Sequence, residues 1–79
     1  MEEYMNTLKE NLNYIMGYDE LTYKEMAKRC GISERKLQEI IYREKKGINF
    51  STLCKIAKNL NIPISKLIEQ KNAYDILIG

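Results

Sequence analysis

Apolar residues recur at three- and four-residue steps along most of this chain, and the recurrence divides it into five short helical segments. Met5, Leu8, Leu12, Ile15 and Met16 form one stripe, which predicts a first helix from about Tyr4 to Met16 with Gly17 as its stop. The second helix opens on the clearest local signal in the sequence. Thr22-Tyr23-Lys24-Glu25 has the form of a capping box, in which the Thr22 side chain accepts from the Glu25 amide while Glu25 reaches back. Leu21 before the cap and Met26 after it form a hydrophobic staple pair, and Met26, Ala27 and Cys30 face inward. Gly31 tolerates the left-handed conformation and ends this helix, and only Ile32 separates it from Ser33, the next N-cap. Two helices therefore meet across a very tight turn.

The third helix, Glu34 to about Tyr42, turns Leu37, Ile40 and Ile41 inward, and Ile32 with Leu37 repeats the staple. At about 100° per residue, Arg35, Gln38, Glu39 and Tyr42 fall on the opposite side, with Arg43 flanking them. Lys45, Lys46 and Gly47 form a basic turn. Asn49 then caps a fourth helix in which Phe50, Leu53, Ile56, Ala57 and Leu60 repeat at helical spacing, closed by Asn61. Pro63 opens a short fifth helix through Ile64, Leu67 and Ile68. The tail from Ala73 to Gly79 is apolar, and its pattern suits either a strand or an extension of the fifth helix.

A chain of 79 residues has room for one small domain with a thin core and none for a deep catalytic cleft. Histidine is absent, which removes the commonest general base and the commonest metal ligand together. Cys30 and Cys54 stand far apart without the close pairing of zinc or redox centres, and both read as small buried apolar residues. There is no glycine-rich phosphate loop. These features argue against an enzyme and against a metal or other cofactor. No stretch approaches the ~18 consecutive apolar residues of a membrane span, and the start Met1-Glu2-Glu3 lacks the pattern of a signal peptide, so a cytoplasmic protein is expected.

The net charge of +2 is modest, but its distribution is uneven. Residues 1–21 carry one cation against five anions, residues 22–46 eight cations against four anions, and residues 47–79 four cations against two anions. An acidic start beside a basic middle orients a molecule against a polyanion.

A helix, a tight glycine turn and a second helix with a polar outer face are the parts of a helix-turn-helix. The stretch Tyr23 to Tyr42, with small Ala27 at the helix crossing, Gly31 in the turn and apolar Ile32, Leu37 and Ile40, resembles the Cro/cI (XRE) family. The run from Phe50 to Ile68, with its Leu53-x-x-Ile56-Ala57-x-x-Leu60 segment, is similar to that family's fourth and fifth helices. The resemblance implies an all-α, compact five-helix, lambda-repressor-like DNA-binding domain over residues 1–70, with the helix-turn-helix at helices 2 and 3. Residues 71–79 would then form an apolar tail that either joins two copies or packs on its own core. Many family members pair a glutamate near the end of the recognition helix with an arginine of the first helix. Here that position is Ile41 and the first helix has no arginine, so packing replaces the ion pair.

Carried over residue by residue, the resemblance implies base-reading roles for Ser33, Glu34, Arg35, Gln38 and Glu39. It implies phosphate contacts for Tyr23, Lys24, Lys36, Tyr42, Arg43, Lys45 and Lys46. Arg35 ranks first, because a guanidinium fork can donate twice to guanine O6 and N7. Glu39 has a second reading as a helical partner of Arg35 or Arg43, four residues away on either side, and Lys45 and Lys46 suit a solvated loop equally well. The implied function is a sequence-specific regulator of transcription, a repressor, binding double-stranded DNA as a homodimer. The competing reading is a protein-interaction module of the same fold, favoured by the two glutamates on the recognition face.

Overall fold

The computed structural model describes residues 3–42 and 48–69 and folds them into five helices: α1 (Glu3–Tyr18), α2 (Tyr23–Cys30), α3 (Glu34–Tyr42), α4 (Phe50–Leu60) and α5 (Ile64–Glu69). The described residues contain no strand, and the fold is all-α, as the periodicity predicts. Arg43, Lys45 and Lys46 lie outside the described residues, as does the apolar tail.

Three of these helices stop in the same way. After α2, Gly31 takes a left-handed φ of 76°, its N–H donates to the Lys28 carbonyl at 3.2 Å, and the Ile32 N–H donates to the Ala27 carbonyl at 3.0 Å. After α4, Asn61 takes φ 60°, its N–H reaches the Lys58 carbonyl at 3.2 Å, and the Ile62 N–H reaches Ala57 at 3.0 Å. After α1, Glu20 takes φ 53°, its N–H reaches Gly17 at 3.4 Å, and the Leu21 N–H reaches Met16 at 2.9 Å. Each is a Schellman motif, in which two carbonyls left over at the helix end find donors. Each also delivers an apolar residue, Ile32, Ile62 or Leu21, back onto the core.

The end of α1 corrects the expectation that Gly17 is its stop. Gly17 is helical and exposed, and the helix runs on through Tyr18. Glycine inside a helix costs only about 0.5–1 kcal/mol relative to alanine, less than burying Leu21 and completing the motif returns. Phe50 is a second correction: its spacing groups it with Leu53, Ile56, Ala57 and Leu60, but at the first position of α4 it is 69% exposed while those four are buried. Asn49 sits at the N-cap position of α4 but makes no side-chain cap hydrogen bond. Cys54 is half-buried where burial was expected, whereas Cys30 is fully enclosed.

α1 packs on α5 and α3, α2 on α3 and α4, and α4 on α5. Leu8, Leu12, Ile15, Met26, Leu37, Ile40, Ile56 and Leu67 fill the centre, each burial contributing about 1.5–3 kcal/mol. Ile41 is buried among them, the packing expected in place of an ion pair. One polar residue is enclosed as fully as the leucines: Asn11, whose Nδ2 donates to the Leu67 carbonyl at 2.7 Å. That carbonyl belongs to the last turn of α5, where no intrahelical donor is left, so α1 supplies the donor. At the surface, Asp19 after α1 forms an ion pair with Arg29 in the last turn of α2, joining the acidic start to the basic middle.

Candidate nucleic-acid interface

The α2–α3 pair is set by local chemistry at each end. Both halves of the capping box are present: Thr22 Oγ1 accepts from the Glu25 N–H at 3.1 Å, and the Thr22 N–H donates to Glu25 Oε1 at 2.9 Å. The Thr22 backbone N–H, with the Thr22 side chain as a second cause, holds the Glu25 carboxyl below its ordinary pKa, because a hydrogen bond donated to the carboxylate favours the ionised form. At the next start, Ser33 Oγ accepts from the Lys36 N–H at 3.0 Å, so α3 begins where the sequence sets its cap.

Between these caps the turn is clamped from outside. Asn59 of α4 donates from Nδ2 to the Cys30 carbonyl at 2.9 Å. A Cβ on Gly31 would run into that same amide group, so glycine is required twice over, by its positive φ and by the close approach of Asn59. Cys30 itself faces the core, and burial pushes its thiol up to about 12, so it stays a neutral thiol. The turn between α2 and α3 is thus braced by an α4 side chain that no local pattern around Gly31 announces.

Seen from solvent, α3 presents Glu34, Arg35, Gln38 and Tyr42 as exposed residues, with Lys36 and Glu39 half-buried beside them and Ser33 exposed at the start. Arg35, Gln38 and Tyr42 fall within about 60° of one another around the helix, opposite Leu37, Ile40 and Ile41, which are buried. A helix of nine residues spans about 13 Å, a length that fits a duplex major groove. Arg35 makes no ion pair among the described residues, leaving its fork of donors open. Glu39 stands 3.9 Å from Lys36 Nζ, one turn back on the same helix. That neighbour was not one of the two expected for it.

At the far edge of this face the structure brings together two residues that the sequence singled out separately. Tyr23 at the start of α2 and Tyr42 at the end of α3 stack with ring centroids 5.4 Å apart and rings tilted by 43°, a favourable aromatic arrangement. The Tyr23 hydroxyl donates to the Tyr42 oxygen at 2.6 Å. This bond is the chief cause that raises the Tyr23 phenol to about 12, with burial adding to it. Lys24 is exposed at the start of the same helix. Tyr23 and Tyr42 therefore meet at one edge of the face that Arg35 and Gln38 occupy, with Lys36 half-buried on α3 itself.

The described residues hold no group of three or more cysteine, aspartate or glutamate side chains placed to bind a metal ion, and no helix among them is long and apolar enough to cross a membrane. Residues 11–72 match the family described as the Cro/C1-type helix-turn-helix DNA-binding domain, a span that includes all of α2, α3, α4 and α5. No curated protein and no solved structure matches the chain.

Proposed function

The chain belongs to the Cro/C1-type helix-turn-helix DNA-binding family, and from that premise we propose that it is a transcriptional regulator, a repressor, that reads an operator with α3 in the major groove. Ser33, Glu34, Arg35, Gln38 and Glu39 face base edges, and Tyr23, Lys24, Lys36, Tyr42, Arg43, Lys45 and Lys46 engage the phosphates on either side. Arg35 leads the base contacts, donating to guanine O6 and N7. The observation that carries this reading is the side of α3 on which exposed Arg35, Gln38 and Tyr42 align, held at a fixed angle by the Gly31 turn.

One recognition helix of this length reads about half an operator, so the protein acts as a homodimer on a two-fold site with half-sites one helical turn or a multiple apart. It works in the cytoplasm, without cofactor or catalytic step. The carboxylates of Glu34 and Glu39 on the same face favour a second reading, in which this surface docks a protein partner.

Fluorescence anisotropy of a labelled random-sequence duplex, titrated with the protein across a salt series, separates the two. Binding in the micromolar range that weakens steeply with salt, with a shallower slope in an Arg35→Ala, Lys46→Ala double mutant, supports DNA binding by this face. No retention of the duplex at low salt would leave the protein-partner reading.

A further inference from the structure

Tyr23 and Tyr42 lie 19 residues apart in sequence and at opposite ends of the helix-turn-helix, yet they meet by ring and by hydroxyl. A phenol hydroxyl has a single proton to donate and two lone pairs that accept. With Tyr23 donating to Tyr42, the Tyr23 proton is committed inside the protein, and the Tyr42 proton is left to point elsewhere. A hydroxyl that accepts one hydrogen bond is polarised into a stronger donor for the next. Exposure divides the pair the same way: Tyr23 is half-buried and packed against the core, whereas Tyr42 is 66% exposed.

We propose that the two tyrosines make one phosphate contact between them, with Tyr42 donating its hydroxyl proton to a non-bridging oxygen of the DNA backbone and Tyr23 acting as the positioning residue that aims it. The proposal rests on the DNA-binding reading above and refines it, since that reading gives each tyrosine a phosphate contact of its own. Tyr23 fixes both the ring, by stacking, and the hydroxyl, by its hydrogen bond, so little rotational freedom remains for Tyr42 to lose when the phosphate arrives. Because the contact joins a neutral donor to a phosphate, it adds affinity without releasing a counterion. The same bond also ties the start of α2 to the end of α3, so the register of the recognition helix against the backbone is set at both of its ends.

The test is a double-mutant cycle on the intact chain, with Tyr42→Phe, Tyr23→Phe and the double variant titrated against a labelled random-sequence duplex. Phenylalanine keeps the rings and removes only the hydroxyls. Tyr42→Phe is expected to weaken binding about tenfold, the scale of one hydrogen bond to a charged group. Tyr23→Phe weakens it by a smaller factor, and the double variant binds no more weakly than Tyr42→Phe alone. The salt slope stays that of the wild type in all three.

A structural role for Tyr23 would not produce that pattern of non-additivity, nor the accompanying NMR signature. With tyrosines labelled at Cζ, the Tyr23 resonance is expected to titrate near 12 in the wild type and to move back toward about 10 in Tyr42→Phe. Losses that multiply in the double variant would overturn the shared contact, as would unchanged affinity in both single variants or an ordinary titration of Tyr23 in the wild type. A wild-type protein that leaves the duplex unbound at low salt would instead overturn the DNA-binding reading on which the proposal stands.

Discussion

Two turns of this protein follow one backbone plan, displaced by 30 residues: Ala27 to Ser33 joins α2 to α3, and Ala57 to Pro63 joins α4 to α5. In each, an alanine and the lysine after it offer carbonyls of the last helical turn, a residue with positive φ turns the chain, and an isoleucine returns to the core. The differences lie in what surrounds the turn. At the first, the turning residue is glycine, pressed by Asn59, and the helix that follows has nine residues with a polar outer face. At the second, the turning residue is an exposed asparagine, and the following helix has six residues and is tied to α1 through the Leu67 carbonyl. The same local geometry thus holds the proposed reading surface in one place and closes the core in the other.

The first turn should be far less tolerant of substitution than the second. Gly31→Ala forces a Cβ into the left-handed region and against Asn59, costing the strain and the Asn59–Cys30 hydrogen bond together, about 2–3 kcal/mol. Asn61→Ala carries only the strain that separates alanine from asparagine there, about 0.5–1 kcal/mol. Urea denaturation of the two variants measures the gap, and equal losses would mean that Asn59 does not constrain the first turn. Asn11→Leu probes the anchor of the second: it strands the Leu67 carbonyl in the core at a cost of about 1–3 kcal/mol, read as a fall in the denaturation midpoint.

Alkaline titration sharpens the comparison, because Cys30 in the first turn occupies the place that Leu60 holds in the second. Burial raises the Cys30 thiol from its ordinary 9.0 to about 12 in the folded chain. A group whose folded pKa is raised stabilises fully below its unfolded value and loses that contribution as pH climbs through the folded one. Unfolding free energy should therefore fall between about pH 9 and pH 12, with Tyr23 adding to the fall above its own ordinary value of 10.0. In Cys30→Ala the decline should start later, and circular dichroism melts over this range would register the difference. Glu25 works in the opposite sense: its lowered pKa gives the capping box stability above the ordinary carboxylate range that is lost as pH falls through the folded value.

The smallest effect concerns the third turn of this kind, after α1, where Glu20 holds the positive φ. Glu20→Gly relieves about 1 kcal/mol of strain and gives part of it back as unfolded-chain entropy, for a net gain of about 0.5 kcal/mol. A rise of a degree or more in the thermal midpoint would record it.

Much of this was readable along the chain because it depends on neighbours in sequence. The inward faces of α2 and α3, the Thr22–Glu25 box, the Ser33 cap and the Gly31 stop all follow from residues a few positions apart, and the structure reproduces them. What failed has a different origin. Gly17 reads as a stop, but Leu21 must reach the core five residues after Met16, and that requirement carries the helix past the glycine. Asn11 carries no local signal of its burial because its partner is 56 residues away. Asn59 is equally silent, since Cys30 lies 29 residues upstream. Tyr23 and Tyr42 each carry an expected phosphate contact, but their hydrogen bond belongs to the packing of two helices and to no spacing within either.

On the proposed function, the first of the two like turns presents a surface to DNA and the second does not. Amide chemical shifts of the isotope-labelled protein, followed while an unlabelled duplex is added at low salt, test it most directly. The amides of Thr22 to Lys24 and Ser33 to Tyr42 are expected to shift together, while those of Asn61 to Glu69 stay in place. Shifts concentrated on Asn61 to Glu69, or none on α3, would contradict it.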